Sequence, residues 1–231
     1  MKTYIILLAT AAFLAAPFVT PPFMGYDPGM FPVEITRPSI QPAGYAFAIW
    51  GIIYSWLAVS AVFGLLRKGD AMWDRTRLPL FGALVLGSAW LGIANGFPIT
   101  ATVTIIAMAG LSLGAFLTAS PTTDRWWLQA PLAMFAGWLT AASMVSLGVI
   151  LAGYGWLSDT ATALTMLTIV VVTTITVQSR RPAMPLYAGA VIWASIGVAV
   201  VNWPSNTTVA YAAIAGAVLL VASAGGLFLR R

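Results

Sequence analysis

Residues 78–118 read LPLFGALVLGSAWLGIAN, then GFP, then ITATVTIIAMAGLSLGAFLT, with no charged side chain anywhere in the stretch. Each apolar half is close to the roughly 20 residues that a membrane-crossing helix requires, and neither shows the ten-residue alternation of a membrane barrel strand. Gly96, Phe97 and Pro98 divide the halves, because glycine and proline punctuate a helix. The stretch therefore predicts two spans joined as a tight helical hairpin. Fusing them into one span would reverse the side of every later loop.

Outward from this hairpin the same pattern repeats. Apolar runs occupy 3–19, 44–66, 126–151, 161–177, 186–201 and 209–229, and the charged residues fall between them. That is the expected punctuation, since a charge at the bilayer centre costs several kcal/mol on any scale. The predicted fold is an all-α polytopic bundle of about eight transmembrane helices. Composition agrees: 231 residues, 60% hydrophobic, with 11 Lys+Arg and 6 Asp+Glu, against about 25% charged residues in soluble domains. No separate soluble domain has room in such a chain.

Placing the N-terminus in the cytoplasm puts Lys2, Arg67, Lys68, Arg75, Arg77, Arg125, Arg180, Arg181, Arg230 and Arg231 inside, and only Arg37 outside. This asymmetry is what the positive-inside rule demands, and it puts both termini on the cytoplasmic side. The basic excess is thus a topological marker and not a nucleic-acid surface. The first run has a second reading. Met1-Lys2, an apolar stretch and Ala15-Ala16 also resemble a signal peptide, which would leave seven helices. Pro17 directly after the alanines argues for a retained helix.

The longest polar segment, 20–43, then faces outward. It contains Pro21, Pro22, Pro28, Pro32, Pro38 and Pro42 with Gly25 and Gly29, so it forms an ordered or extended loop, either a lid or a solvated connector. Asp27 and Glu34 within it are the only carboxylates expected near an outer cavity, and solvated loop charges are their default reading.

Histidine and cysteine are absent. This removes Ser-His-Asp and Cys-His catalysis, ordinary zinc sites, disulfides, iron–sulfur clusters and the usual haem ligands. No charged residue lies inside an apolar run, which disfavours a proton relay, an ion-coupled pump or a Schiff-base lysine. Gln129 and Asn95, near span ends, read as ties between helices, and Gly110 with Gly114 as a close-packing pair, within the chain or between protomers. Catalytic and metal-ligating residues are expected to be none.

Tryptophan is the informative residue. Trp73, Trp126, Trp127, Trp156 and Trp203 fall at predicted interfaces, where a tryptophan belt needs no further explanation. Trp50, Trp56, Trp90, Trp138 and Trp193 fall inside spans, where an indole N–H must find a partner in protein or ligand. Phe47, Trp50 and Tyr54 recur at i, i+3 and i+7, so one face of the second helix carries three rings while Trp56 points elsewhere. Such a face lines a cavity or packs the bundle; spacing alone does not choose.

The run from Pro42 through Tyr45, Phe47 and Trp50 to Tyr54 resembles the second-helix signature of the TspO/MBR family, the tryptophan-rich sensory proteins related to the mitochondrial translocator protein. The run from Pro131 to Trp138 and Thr140 resembles the fifth helix of its longer bacterial members. The resemblance covers 1–151 as a five-helix unit with the outward loop 20–43, and 152–231 resembles the three-helix extension of the longer branch. Two positions depart from the family pattern. Ser88-Ala89-Trp90 and a displaced Asn95 replace its asparagine–tryptophan pattern, and the fifth-helix proline is spaced differently from its tryptophan.

The resemblance implies a receptor or carrier in a bacterial inner membrane, with a sensory or transport-accessory role. Its ligand would be apolar and planar, a tetrapyrrole such as protoporphyrin, with no cofactor required. Carried onto this chain, Tyr45, Phe47, Trp50, Tyr54, Trp90 and Trp138 would line the site and the Pro-rich loop would cover it. Proposed porphyrin photodegradation by some members leaves enzymatic activity open, although no acid–base pair supports it. Partners would be the bilayer, a hydrophobic small molecule, and further copies or a larger membrane complex, but no nucleic acid. The alternative is a structural or assembly subunit whose smooth helices pack against such a complex.

Overall fold

The computed structural model describes residues 2–23 and 25–229; Met1, Arg230 and Arg231 lie outside them. All regular structure among the described residues is helical. Eight α-helices follow in order: α1 (Lys2–Val19), α2 (Ile49–Phe63), α3 (Ala71–Ala94), α4 (Pro98–Thr118), α5 (Ala130–Gly153), α6 (Asp159–Arg180), α7 (Leu186–Asn202) and α8 (Thr207–Leu229). Seven spans are long and apolar enough to cross a membrane, α2 when counted with the preceding 3-10 segment as Gly44–Phe63, and Leu186–Asn202 is a shorter apolar helix. The chain is an integral membrane protein. The α3–α4 hairpin turns at Gly96-Phe97-Pro98, with Pro98 opening α4, where its missing N–H costs nothing.

Helix boundaries differ from the apolar runs where charged residues form the helix ends. α3 begins seven residues before its apolar run, because the Asp70 carboxylate caps it by accepting from the N–H groups of Met72 and Trp73 at 2.7 and 3.3 Å. Asp74 in the first turn adds a favourable charge at the helix N-terminus. Ser158 caps α6 in the same way, with Asp159 in its first turn and Arg180 in its last. The start of the second span is different again. Gly44–Ala48 winds as a 3-10 helix before α2 begins.

α1 to α5 form a ring in which α3 packs on α1 and α4, α4 on α5, and α2 on α1 and α5. α1 is built into this ring, burying Ile6, Ala9, Thr10, Phe13 and Ala16. α6, α7 and α8 pack on the far side of α5, which is consequently buried on nearly every face. Small residues allow that density. A Cβ at Gly137 would lie 2.2 Å from the Tyr187 carbonyl oxygen, so α5 and α7 meet backbone to backbone. Beside it Tyr187 stacks on Phe116 at 5.7 Å and its hydroxyl meets Thr140 Oγ1 at 3.0 Å. The pair Gly110 and Gly114 does not serve this purpose. A Cβ at Gly110 would meet nothing within 4 Å, and at Gly114 only Pro79 at 3.8 Å, because they lie on a face of α4 turned away from its close neighbours.

The two ends of the bundle differ chemically. Lys2, Arg67, Lys68, Arg77, Arg125 and Arg181 meet at one end. There Lys2 faces Asp74, Lys68 lies over Tyr4, and Arg67 pairs with Asp124. Arg125 and Arg181 donate to the Ala183 and Leu117 carbonyls. Arg37 belongs to the opposite end, with segment 20–43. The described residues of that segment pack onto the bundle. Phe31, Ile40 and Pro42 sit in notches at Gly153, Gly148 and Gly197, where an added Cβ would approach them to 2.5, 3.0 and 2.9 Å.

A polar clasp secures the same segment. Ser39 N–H donates to Asp159 at 2.9 Å, Asn202 Nδ2 to the Ser39 carbonyl at 2.7 Å, and Asn206 Nδ2 to Thr160 Oγ1 at 2.8 Å and Ser39 Oγ at 3.2 Å. The carboxylate that organises this end is therefore Asp159, not Asp27 or Glu34. It is the cap-turn acid of α6, which the focus on the loop's own charges overlooked. Asn95 is a tie as expected, donating to the Pro21 carbonyl at 3.2 Å and to Leu91 at 3.0 Å. Gln129 likewise donates to the Ser120 carbonyl at 3.3 Å.

Candidate functional site

Three elements converge on one aromatic nest. Trp50 and Tyr54, one turn apart on α2, stack at 5.2 Å and 23°. Phe13 of α1 meets both edge-on, at 6.0 and 5.2 Å. Trp138 of α5 stands perpendicular to Phe47 and to Trp50, at 5.9 and 6.1 Å. Edge-to-face and offset geometries are those that ring quadrupoles favour. Gly87 of α3 makes the arrangement possible, because a Cβ there would fall 2.5 Å from the Phe13 ring.

The nest encloses space. A chamber of about 280 Å³ lies among α1 to α5, lined by Phe13, Phe47, Trp50, Tyr54, Trp90 and Trp138 among others. A smaller one of about 60 Å³ lies beneath segment 20–43, roofed by Phe23, Gly25, Tyr26, Gln41 and Pro42. Phe23, Phe47, Trp90, Ile105, Trp138 and Ala142 border both, so the two are neighbouring parts of one apolar site. The larger part alone sits near the lower end of the roughly 300–1,000 Å³ typical of small-molecule pockets.

Five of the six residues singled out in the sequence thus share one cavity wall. Tyr45 does not join them. It is half-exposed and packs edge-on against Trp193 of α7 at 5.5 Å. At about 100° per residue Tyr45 lies about 160° round the helix from Phe47 and about 180° from Tyr54, so its position already puts it opposite the stripe, on the side that meets α7.

Accounting for the indole N–H groups separates the tryptophans further. Trp56 donates to the Trp126 carbonyl at 2.8 Å, Trp90 to Ala101 at 2.9 Å and Trp193 to Ala46 at 2.8 Å. Trp73 is buried, not interfacial, and donates to Asp124 at 2.8 Å. Trp126, Trp127, Trp156 and Trp203 are exposed, as an interfacial belt requires. Trp50 makes ring contacts but no hydrogen bond through its indole, and Trp138 differs from it in being 3% exposed with a buried Nε1 that has no partner.

One short polar chain crosses the smaller chamber. Tyr26 Oη lies 2.6 Å from Ser146 Oγ, which lies 2.8 Å from Thr102 Oγ1, and Thr102 donates to the Pro98 carbonyl at 2.9 Å. A hydroxyl has one proton. With Thr102's proton committed to Pro98, Ser146 donates to Thr102 and Tyr26 donates to Ser146. Burial pushes the Tyr26 phenol above its ordinary pKa, and the Ser146 and Thr102 hydroxyls pull the other way. No described lining residue of either chamber carries a charge. The arrangement is suited to holding an apolar molecule by shape, stacking and very few hydrogen bonds.

Phe13, Phe23, Tyr26, Ile105 and Ser146 complete the lining without a sequence signal of their own, and Thr102 stands behind Ser146. A family model described as TSPO-like protein matches residues 3–225. Neither the curated proteins nor the solved structures yielded a match. The family match runs through all eight helices, and the chain belongs to the TSPO-like family.

Proposed function

With membership of the TSPO-like family as premise, we propose that this chain is a membrane receptor or carrier for an apolar, planar ligand of the tetrapyrrole class, held in the aromatic cavity beneath the lid. One observation carries the reading: five rings of the α2, α3 and α5 stripe, joined by Phe13, surround unfilled space instead of packing it solid. Indole and phenol faces reward a flat partner in a dry site. A metal-free macrocycle suits a chain without histidine or cysteine better than haem does. In this reading residues 1–151 bind the ligand, and 152–231 brace α5 and hold the lid through Asp159, Asn202 and Asn206.

The test is equilibrium binding of protoporphyrin IX to nanodisc-embedded protein, with Trp50→Ala and Trp138→Ala alongside and folding checked by thermal unfolding. Saturable binding, weakened at least about tenfold in each folded variant, is the expected result. Binding indifferent to both substitutions would reject the cavity as the porphyrin site. An assembly role has its own supporting observation, an apolar outward groove between α7 and α8 bordered by Ile196, Val200, Trp203 and Val218. Co-purification with a larger complex, together with absent porphyrin binding, would favour it.

A further inference from the structure

The basic end of the bundle handles charge differently on its two sides. On the α1–α3 side the acids are in place: Asp74 meets Lys2 and Arg77, Asp124 meets Arg67, and Asp70 caps α3. The other three of the six side-chain carboxylates belong to the opposite end, Asp27 and Glu34 in segment 20–43 and Asp159 in its clasp. None is left for Arg125 and Arg181, and among the described residues neither is ion-paired.

These two arginines flank one tight turn. Met184 N–H donates to the Arg181 carbonyl at 3.0 Å, closing residues 181–184 between α6 and α7. Arg125 Nη2 donates to the Ala183 carbonyl within that turn at 2.6 Å, and Arg181 Nη2 to the Leu117 carbonyl in the last turn of α4. A guanidinium carries five N–H donors, so each fork has nitrogens to spare. Of those without a protein partner only Arg125 Nε is fully buried, and Arg125 Nη1 with Arg181 Nε and Nη1 reach the surface. Burial pulls the Arg181 guanidinium below its ordinary pKa, the mark of a cation that backbone carbonyls compensate only in part.

From this we infer that the corner formed by Arg125, Arg181 and the turn between α6 and α7 docks the phosphate of an anionic phospholipid of the cytoplasmic leaflet. Arginine forks match phosphate oxygens bidentately and hold their charge at any physiological pH. The occupant is a lipid and not a free anion because the corner lies at the membrane boundary, where α4 and α6 end and α5 and α7 begin. Trp126 and Trp127 beside it are exposed as an interfacial belt requires, and the Arg125 guanidinium stands 5.3 Å from the Trp126 ring centroid. Basic groups at this depth attract the anionic lipids of the inner leaflet. The inference is independent of the aromatic cavity and of its ligand.

Native mass spectrometry of detergent-purified protein, titrated with phosphatidylglycerol or with phosphatidylcholine of the same acyl chains, counts bound lipids and tests it. The unmodified protein should take its first phosphatidylglycerol about tenfold more tightly than phosphatidylcholine. In Arg125→Gln and in Arg181→Gln, each checked for folding by thermal unfolding, that preference should fall to about twofold, since each basic group near an anionic headgroup is worth about fivefold. Arg75→Gln, at an exposed arginine of the same end, should leave it unchanged. Absence of any headgroup preference in the unmodified protein would overturn the inference whatever the variants do. A preference that survives both substitutions, or falls equally in Arg75→Gln, would overturn it too, by making the attraction a property of the whole basic end. Inorganic phosphate should not displace the bound lipid; displacement at equal concentration would show the occupant to be a free anion and overturn the assignment to lipid.

Discussion

Two tryptophan clusters occupy this bundle, and they are built to different ends. At the basic end Trp56 stacks on Trp126 at 9°, while Phe63 stacks on Trp127 and tilts against Trp73. The Trp56 and Trp73 indoles there are hydrogen-bonded. The neighbouring cavity, beside Trp73 and Arg77, holds only about 20 Å³. At the opposite end, Trp50, Trp90 and Trp138 surround about 280 Å³, and the buried Trp138 Nε1 has no hydrogen-bond partner. Ring count does not distinguish the two. What distinguishes them is the space left between rings and the state of each polar edge, so breaking the clusters one ring at a time should give opposite results.

The largest effect is expected at Trp73, a ring of the closed cluster. Trp73→Ala removes a side chain that is 4% exposed and leaves Asp124 short of a donor. We expect a loss of about 3–5 kcal/mol, as for other buried aromatic truncations. Trp138→Phe, in the open cluster, keeps one six-membered ring and removes the five-membered half of the indole with a donor that has no protein partner. Beside an existing cavity its cost should stay at about 1–2 kcal/mol, below a full aromatic truncation. Reversible unfolding of the two variants in detergent measures the difference. Equal losses would mean that the open cluster is as tightly committed to packing as the closed one.

These contrasts also mark what the sequence could and could not convey. The hairpin at 96–98, the α2 stripe and the tie at Asn95 depend on local spacing and chain polarity, and both are visible in one dimension. Tyr45 entered with the family signature and not with the stripe, and its offset of two residues from Phe47, about 160° round a helix, already placed it on the opposite face. Trp73 sits at a sequence position proper to an interface, yet the turn carrying Asp124 wraps over it from 51 residues away. Tyr26 and Ser146 are 120 residues apart and belong to no shared motif, so their contact exists only in the fold. Gly110 and Gly114 had the right spacing for close packing, but spacing does not say which face meets a neighbour.

A smaller effect should follow from the ion pair that locks the closed cluster. Asp124 is in the left-handed region at φ 48° and accepts from Arg67 Nε at 2.7 Å and Nη2 at 3.0 Å, and from Trp73. The Arg67 hydrogen bond holds its carboxyl below the ordinary range, against burial and with help from Trp73. A depressed carboxylate stabilises the fold above its unfolded pKa, and that contribution disappears as pH falls through the folded pKa. Acidification from neutral pH should therefore lower the unfolding temperature of the native protein more than that of Asp124→Asn. Asparagine tolerates the same backbone region and removes only the charge. At neutral pH the substitution should cost little, because solvent screens the partly exposed pair and asparagine still accepts from Trp73. Parallel acid slopes in the two proteins would show that the pair contributes nothing.

The smallest change falls on the lid of the open cluster and sharpens the comparison most, because it should alter kinetics more than stability. Most of the 20–43 segment is fixed by its notches and by the Ser39 clasp, whereas Tyr26 reaches the cavity through one hydroxyl contact to Ser146. Tyr26→Phe keeps the ring packed on Phe23 and Phe31, at 5.2 and 6.2 Å, and deletes only that contact. Ser146 still donates to Thr102, so no buried donor is orphaned, and stability should fall by only about 0.5–1.5 kcal/mol. If lifting Tyr26 is the step that frees the smaller chamber, the same energy lowers its barrier, and release of bound protoporphyrin IX from nanodiscs should speed up by about two- to tenfold in a stopped-flow chase. Unchanged release, with stability reduced as expected, would show that ligand leaves by another path, through the helices around the larger chamber, and that the lid is a fixed roof.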